Sequence, residues 1–83
     1  MNIEIKKFPE GDLIAKIDGY ECNPGMVMTY QHIGQHGEGE LKYMQSLPFA
    51  SWKESKPLIS ELRSIGYTAE EDYLFVNEYL ELK

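Results

Sequence analysis

The sequence predicts an α+β fold: a small antiparallel sheet, made of an N-terminal hairpin plus a third strand, packed by two C-terminal helices. Three observations carry this. Polar and apolar residues alternate through the first two segments, residues 2–8 and 13–17. Turn-forming Pro, Gly, Asn and Asp cluster between the early segments. From Leu41 onward, apolar residues recur at helical spacing. A chain of 83 residues, 42% hydrophobic and 27% charged, has room for one ordered domain, residues 1–83.

Asn2–Phe8 reads as a strand, with Ile3, Ile5 and Lys7 on one side and Glu4, Lys6 and Phe8 on the other. Pro9-Glu10-Gly11-Asp12 makes a turn, and Leu13–Ile17 returns with Leu13, Ala15 and Ile17 on one face. Asp18-Gly19 and Asn23-Pro24-Gly25 mark two more turns. Met26–His32 is the third strand, with Met26, Met28, Tyr30 and His32 sharing a face. Asn23-Pro24 offers a helix start as the alternative, but the β-branched and aromatic residues favour a strand. Gly34, Gly37 and Gly39 make 34–39 an exposed, mobile loop, because glycine is costly inside regular elements. Leu41, Met44 and Leu47 give a short helical turn within Glu40–Leu47.

Ser51 and Glu54 form a capping-box pattern, followed by the stripe Leu58, Ile59, Leu62 and Ile65, with Gly66 as the C-terminal stop. Pro57 conflicts with a helix starting after Ser51. It requires either a kink or a regular part that begins after Ser55. Thr68 and Glu71 repeat the capping pattern. On a helical wheel Ala69–Leu82 then divides into an apolar half and an acidic half carrying Glu70, Glu71, Glu78 and Glu81. The expected core is Ile5, Leu13, Ile17, Leu58, Leu62 and Ile65.

The charge balance excludes whole classes of function. Eight basic residues against 14 acidic ones give −6, which argues against direct binding of nucleic acid or an anionic membrane. The longest apolar run, Tyr73–Val76, is far short of the roughly 20 residues a membrane span needs. Met1–Lys7 has no apolar stretch of the signal-peptide kind, and a single cysteine, Cys22, excludes an intrachain disulfide. A cytoplasmic location is expected.

Chemistry-bearing motifs are few. No P-loop, dinucleotide fingerprint, nucleophile elbow or zinc-finger spacing occurs, and no cofactor is implied. His32 and His36, with Glu38 and Glu40 behind them, are the one set able to hold a metal, but Gly34 lies between the histidines and no fourth ligand is specified. The Gly34–Glu40 segment could cradle a phosphate, yet its own glutamates would repel one. Cys22 could act as a nucleophile only beside a histidine; a lone cysteine is commonly an inert small hydrophobe.

Two features point to a protein partner. Aromatic residues reach 12%, more than so small a core can bury, which marks Trp52, Tyr43 and Tyr30 as contact residues. Glu70, Glu71, Glu78 and Glu81 form an acidic face suited to a partner with a basic surface.

The stretch from Met28 to His36 reads Tyr-Gln-His-Ile-Gly-Gln-His from Tyr30, and a Glu-Leu-Arg-Ser-Ile-Gly-Tyr helix end follows at Glu61–Tyr67. Together they resemble small bacterial and phage proteins of no assigned activity, so the resemblance implies no site residues. In size and acidity the chain is also similar to phage-encoded inhibitors of host defence or of host nucleic-acid enzymes. The reading that follows is a non-enzymatic, acidic protein-binding module, monomeric or homodimeric, of phage or mobile-element type and acting as an inhibitor or regulator. Its alternative is a small-molecule or metal-binding domain built on His32–Glu40.

Overall fold

The computed structural model describes residues 1–31 and 34–74. Four strands form an antiparallel meander: β1 (Ile3–Lys7), β2 (Leu13–Ile17), β3 (Met26–Gln31) and β4 (Gln35–Glu40). Two helices follow, α1 (Leu41–Ser46) and α2 (Trp52–Ser64). A 3-10 turn (Glu70–Asp72) then leads into the short strand β5 (Tyr73–Leu74), which pairs parallel to β1. The sheet order is β4-β3-β2-β1-β5.

The alternation seen in the first two segments is real, and both of its faces are used. Cross-strand pairs Ile3↔Ile17 and Ile5↔Ala15 place apolar side chains on one face. There they pack with Tyr30, Ala50, Leu58, Ile59, Leu62 and Tyr73. On the opposite face Ile14 and Val27 pack with Met44 and Leu47, flanked by Phe8 and Leu41. The helical turn expected within Glu40–Leu47 is a helix in its own right, and the two helices lie on opposite faces of the sheet. α1 covers the second face and α2 the first.

Residues 34–39 are not a loop. Gly34 alone of the three glycines takes a left-handed conformation, φ +87°, and its N–H donates to the Gln31 carbonyl at 2.9 Å. Gln35–Glu40 then pairs with β3 through six residues, from Gln31↔Gln35 to Met26↔Glu40. The glycines suit this strand because α1 starts where it ends. A Cβ on Gly39 would lie 3.1 Å from Thr29 Cγ2 and 3.2 Å from Met44 Cγ. The missing side chain lets α1 dock on the strand that precedes it.

α2 begins with both halves of its capping box: Ser51 Oγ accepts from the Glu54 N–H at 3.1 Å, and Glu54 Oε1 accepts from the Ser51 N–H at 3.0 Å. The helix runs unbroken through Pro57. That residue and Lys53, whose carbonyl it deprives of a donor, are both exposed, so water can take the vacant acceptor. The helix ends in a Schellman motif: the Tyr67 N–H reaches the Leu62 carbonyl at 3.1 Å, the Gly66 N–H reaches Arg63 at 3.2 Å, and Gly66 has φ +117°. Because the last helical residue is Ser64, Ile65 leaves the apolar stripe and is 47% exposed, contrary to expectation. Leu13 is only partly buried, whereas Ile5, Ile17, Leu58 and Leu62 are core.

The helix expected over Ala69–Leu82 is not formed where the chain is described. Thr68 makes no cap, and Ala69 precedes one turn of 3-10 helix. Tyr73 and Leu74 instead extend along the outer edge of β1, opposite Ile3 and Glu4. Pairing with an otherwise open strand outweighs the amphipathic pattern. Residues 75–83, including Glu78 and Glu81, lie outside the described residues, as do His32 and Ile33. No helix among the described residues is long and apolar enough to cross a membrane.

Leu62→Ala should lower the unfolding free energy by about 2–4 kcal/mol, as at other fully buried leucines. Ile65→Ala should cost less than about half a kcal/mol. Equal losses in denaturant titrations would show that the helix continues past Ser64.

Lys7 and the Ser51 groups hold the Glu54 carboxyl down to about 2. A depressed folded-state value means that the stabilisation is complete above the unfolded carboxylate range and is lost as pH falls from about 4.5 towards 2. Glu54→Gln should flatten that acid limb in thermal unfolding; an unchanged limb would remove Glu54 from the acid response.

Candidate functional site

The turns between elements collect aromatic side chains on the α2 side of the sheet. Tyr20 follows the Gly19 turn between β2 and β3, and Tyr67 follows the Gly66 stop of α2. Tyr30 projects from β3, and His36 is its cross-strand partner on β4. These residues line an open cleft of about 770 Å³, together with Met1, Met28, Ile65 and Asp72.

The Tyr67 hydroxyl is the hub. It lies 2.7 Å from the Tyr20 hydroxyl and 2.8 Å from His36 Nε2. The His36 ring meets the edge of Tyr30 at a centroid distance of 5.0 Å, and Tyr30 donates to Glu61 Oε1 at 2.7 Å. Behind the cleft the buried Tyr73 donates to the Tyr67 carbonyl at 2.6 Å. Burial, and then the hydrogen bond to Tyr20, push the Tyr67 phenol well above the usual tyrosine range. Tyr30 is raised first by its hydrogen bond to Glu61, and Tyr73 by burial. These phenols stay protonated near neutral pH. They serve as hydrogen-bonding groups in and behind the cleft.

The other chemistry-bearing residues do not assemble. Burial and the charge of Glu38 push the Cys22 thiol up, which disfavours the thiolate a nucleophile needs. Glu38 accepts from Asn23 Nδ2 at 3.0 Å, while His36 turns towards Tyr67. Among the described residues no three His, Cys, Asp or Glu side chains come together as a metal would require. The phosphate cradle considered for 34–40 is also absent as such, since that segment is a paired strand.

Nor do the described members of the predicted partner-binding set, Glu70, Glu71, Trp52 and Tyr43, form one surface. Glu70 and Glu71 are exposed in the 3-10 turn, and Glu70 pairs with Arg63 at 3.2 Å. Trp52 opens α2 and packs against the larger core, with the Lys56 ammonium 5.8 Å from its ring centroid. Tyr43 is 46% exposed on α1, at the other face of the sheet, and stacks on Phe8 at 6.3 Å. Tyr30 is buried at 3% exposure, contributing its hydroxyl rather than a free ring. Tyr20 and Tyr67 belong to no motif that marks them as site residues. Each directly follows a turn glycine, a position that places a large side chain at a surface corner. The chain matches no family model, no curated protein and no solved structure.

In an ultraviolet pH titration, Tyr30, Tyr67 and Tyr73 should ionise above the usual tyrosine value of about 10. Tyr67→Phe should remove the highest of these steps. Normal ionisation of every tyrosine in the folded protein would show that the hydrogen-bonded wall does not form.

Proposed function

We propose that this chain is a non-enzymatic protein-binding module, an inhibitor or regulator of phage or mobile-element type, that receives its partner at the aromatic cleft. One observation carries this reading. Three of the four large hydrophobic residues exposed in the described chain, Met1, Tyr20 and Ile65, converge on that cleft at 52%, 42% and 47% exposure. Tyrosines held in place by hydrogen bonds lose little entropy when a partner covers them, which is why they serve as interface anchors. Two carboxylates accompany the apolar wall: Asp72 lines the cleft, 3.7 Å from the Met1 ammonium, and Glu61 accepts from Tyr30 beside it. With a net charge of −6, this favours a partner whose contacting surface is basic. A cytoplasmic location is part of the proposal.

Tagged protein should retain a stoichiometric partner from a bacterial lysate at low and moderate salt, and Tyr20→Ala with Ile65→Ser should abolish retention. Both positions are exposed, so the double variant should unfold within a few degrees of the wild type. Absence of any stoichiometric partner, or equal retention by the folded variant, would defeat the reading.

A further inference from the structure

The two edges of the sheet are finished differently. The outer edge of β1 is closed along its length. The Lys7 N–H bonds to Pro48 at 3.0 Å, the Ala50 N–H bonds to the Ile5 carbonyl at 2.9 Å, and β5 covers Ile3 and Glu4. The other edge, β4, is open. The bond from the Leu41 N–H to the Gly25 carbonyl, at 2.9 Å, fixes the phase of the β3–β4 ladder. Residues 35, 37 and 39 point their backbone groups at β3. The N–H and C=O of His36, Glu38 and Glu40 point outward, and among the described residues no strand meets them.

Exposed edges are normally protected by brevity, proline, charged side chains or a bulge. β4 has no proline, lysine or bulge, and the charges that guard it, Glu38 and Glu40, are all negative, so they repel acidic strands and not basic ones. It is six residues long, as long as β3, and pairs in unbroken register. Glutamate is its only charged residue type. A second copy is a poor occupant: antiparallel pairing about Glu38 would set Glu38 against Glu38, between chains of −6 each. A basic strand reverses the sign of every one of these contacts.

We propose that β4 is a strand-addition site for an extended segment of a partner protein in which basic and apolar residues alternate. The partner's backbone pairs with His36, Glu38 and Glu40, and its Lys or Arg side chains lie beside Glu38 and Glu40. The other half of the alternation meets the opposite face, where Gly37 and Gly39 present no side chains and leave a trough of about 310 Å³; Gln31 and Gln35 edge it, and Phe8 and Ile14 supply its apolar part. The proposal rests on the reading of the chain as a protein-binding module. It adds a surface continuous with the cleft, because His36 belongs to both.

The probe is a peptide of about ten residues alternating Lys and Val, compared with one alternating Glu and Val, added to the full chain and followed by amide NMR and hydrogen exchange. The Lys peptide should bind saturably and slow exchange at His36, Glu38 and Glu40 by about ten-fold or more. The Glu peptide should do neither. Glu38→Lys with Glu40→Lys should weaken Lys-peptide binding about ten-fold. Glu38→Pro should abolish it, because the lost N–H points outward and no β3–β4 bond is removed. Failure of the Lys peptide to bind, indifference to charge reversal, or protection confined to the cleft would overturn the proposal. Tyr20→Ala with Ile65→Ser should leave peptide protection of β4 in place. Edge failure with cleft-dependent capture intact would thus sink this inference alone, and the converse would sink the cleft reading alone.

Discussion

A carboxylate between two buried ammonium groups organises the second face of the sheet. Lys6 and Lys16 are each only 4% exposed, and Glu4 lies 3.6 Å from one and 3.5 Å from the other. The β1–β2 register, Glu4↔Lys16, is what brings them together. Asp18 completes the second lysine at 2.9 Å. The first donates to the Leu47 carbonyl at 3.1 Å and lies 4.0 Å from the Phe49 ring centroid. That contact fastens the segment which leaves α1, crosses to the β1 edge and delivers α2 to the other face. Breaking such a buried set by removing one member typically costs about 3–5 kcal/mol, whereas an exposed pair contributes about 0–1 kcal/mol. The crossing thus depends on polar groups that have few alternatives when water is excluded.

Much of the fold was legible because local and tertiary demands agreed. The alternation of β1 and β2, the capping box at Ser51 and the stop at Gly66 each have a local mechanism that burial reinforces. Where the demands conflicted, the sequence misled. Gly37 and Gly39 are poor strand formers by propensity, but the strand they occupy passes under Met44, and at Gly39 a Cβ would crowd both Met44 and Thr29. Ala69–Leu74 carries part of a helical pattern, yet the open groups of β1 recruit Tyr73 and Leu74 as a strand. Ile65 follows the stripe by spacing alone, one residue after the backbone has left the helix. The burial of Lys6 and Lys16 had no local signal at all, since their spacing is equally that of a solvated face.

The candidate site was legible in kind and illegible in place. A surplus of aromatic residues drew attention to rings outside the core, but composition cannot say which of them converge. Trp52 and Tyr43 sit on different faces, and Tyr30 faces inward. Tyr20 and Tyr67, 47 residues apart, meet through their hydroxyls because two separate turns end at the same corner. His36 was singled out with His32, which lies outside the described residues; in the strand it occupies its Nε2 lies 2.8 Å from the Tyr67 hydroxyl, a partner 31 residues away that no local pattern announces.

The interlock at Gly39 reaches beyond this one molecule. Its absent Cβ is boxed by Thr29 from the neighbouring strand and by Met44 from the helix that follows. Drift at any one of these three positions is therefore conditional on the other two. Alanine at 39 needs Thr29 or Met44 to give way by a few tenths of an ångström, so the three positions should covary among descendants of this sequence. At the exposed Pro9–Asp12 corner Pro9, Glu10 and Asp12 can change without such coupling, whereas Gly11, at φ +104°, is held to glycine by its backbone alone.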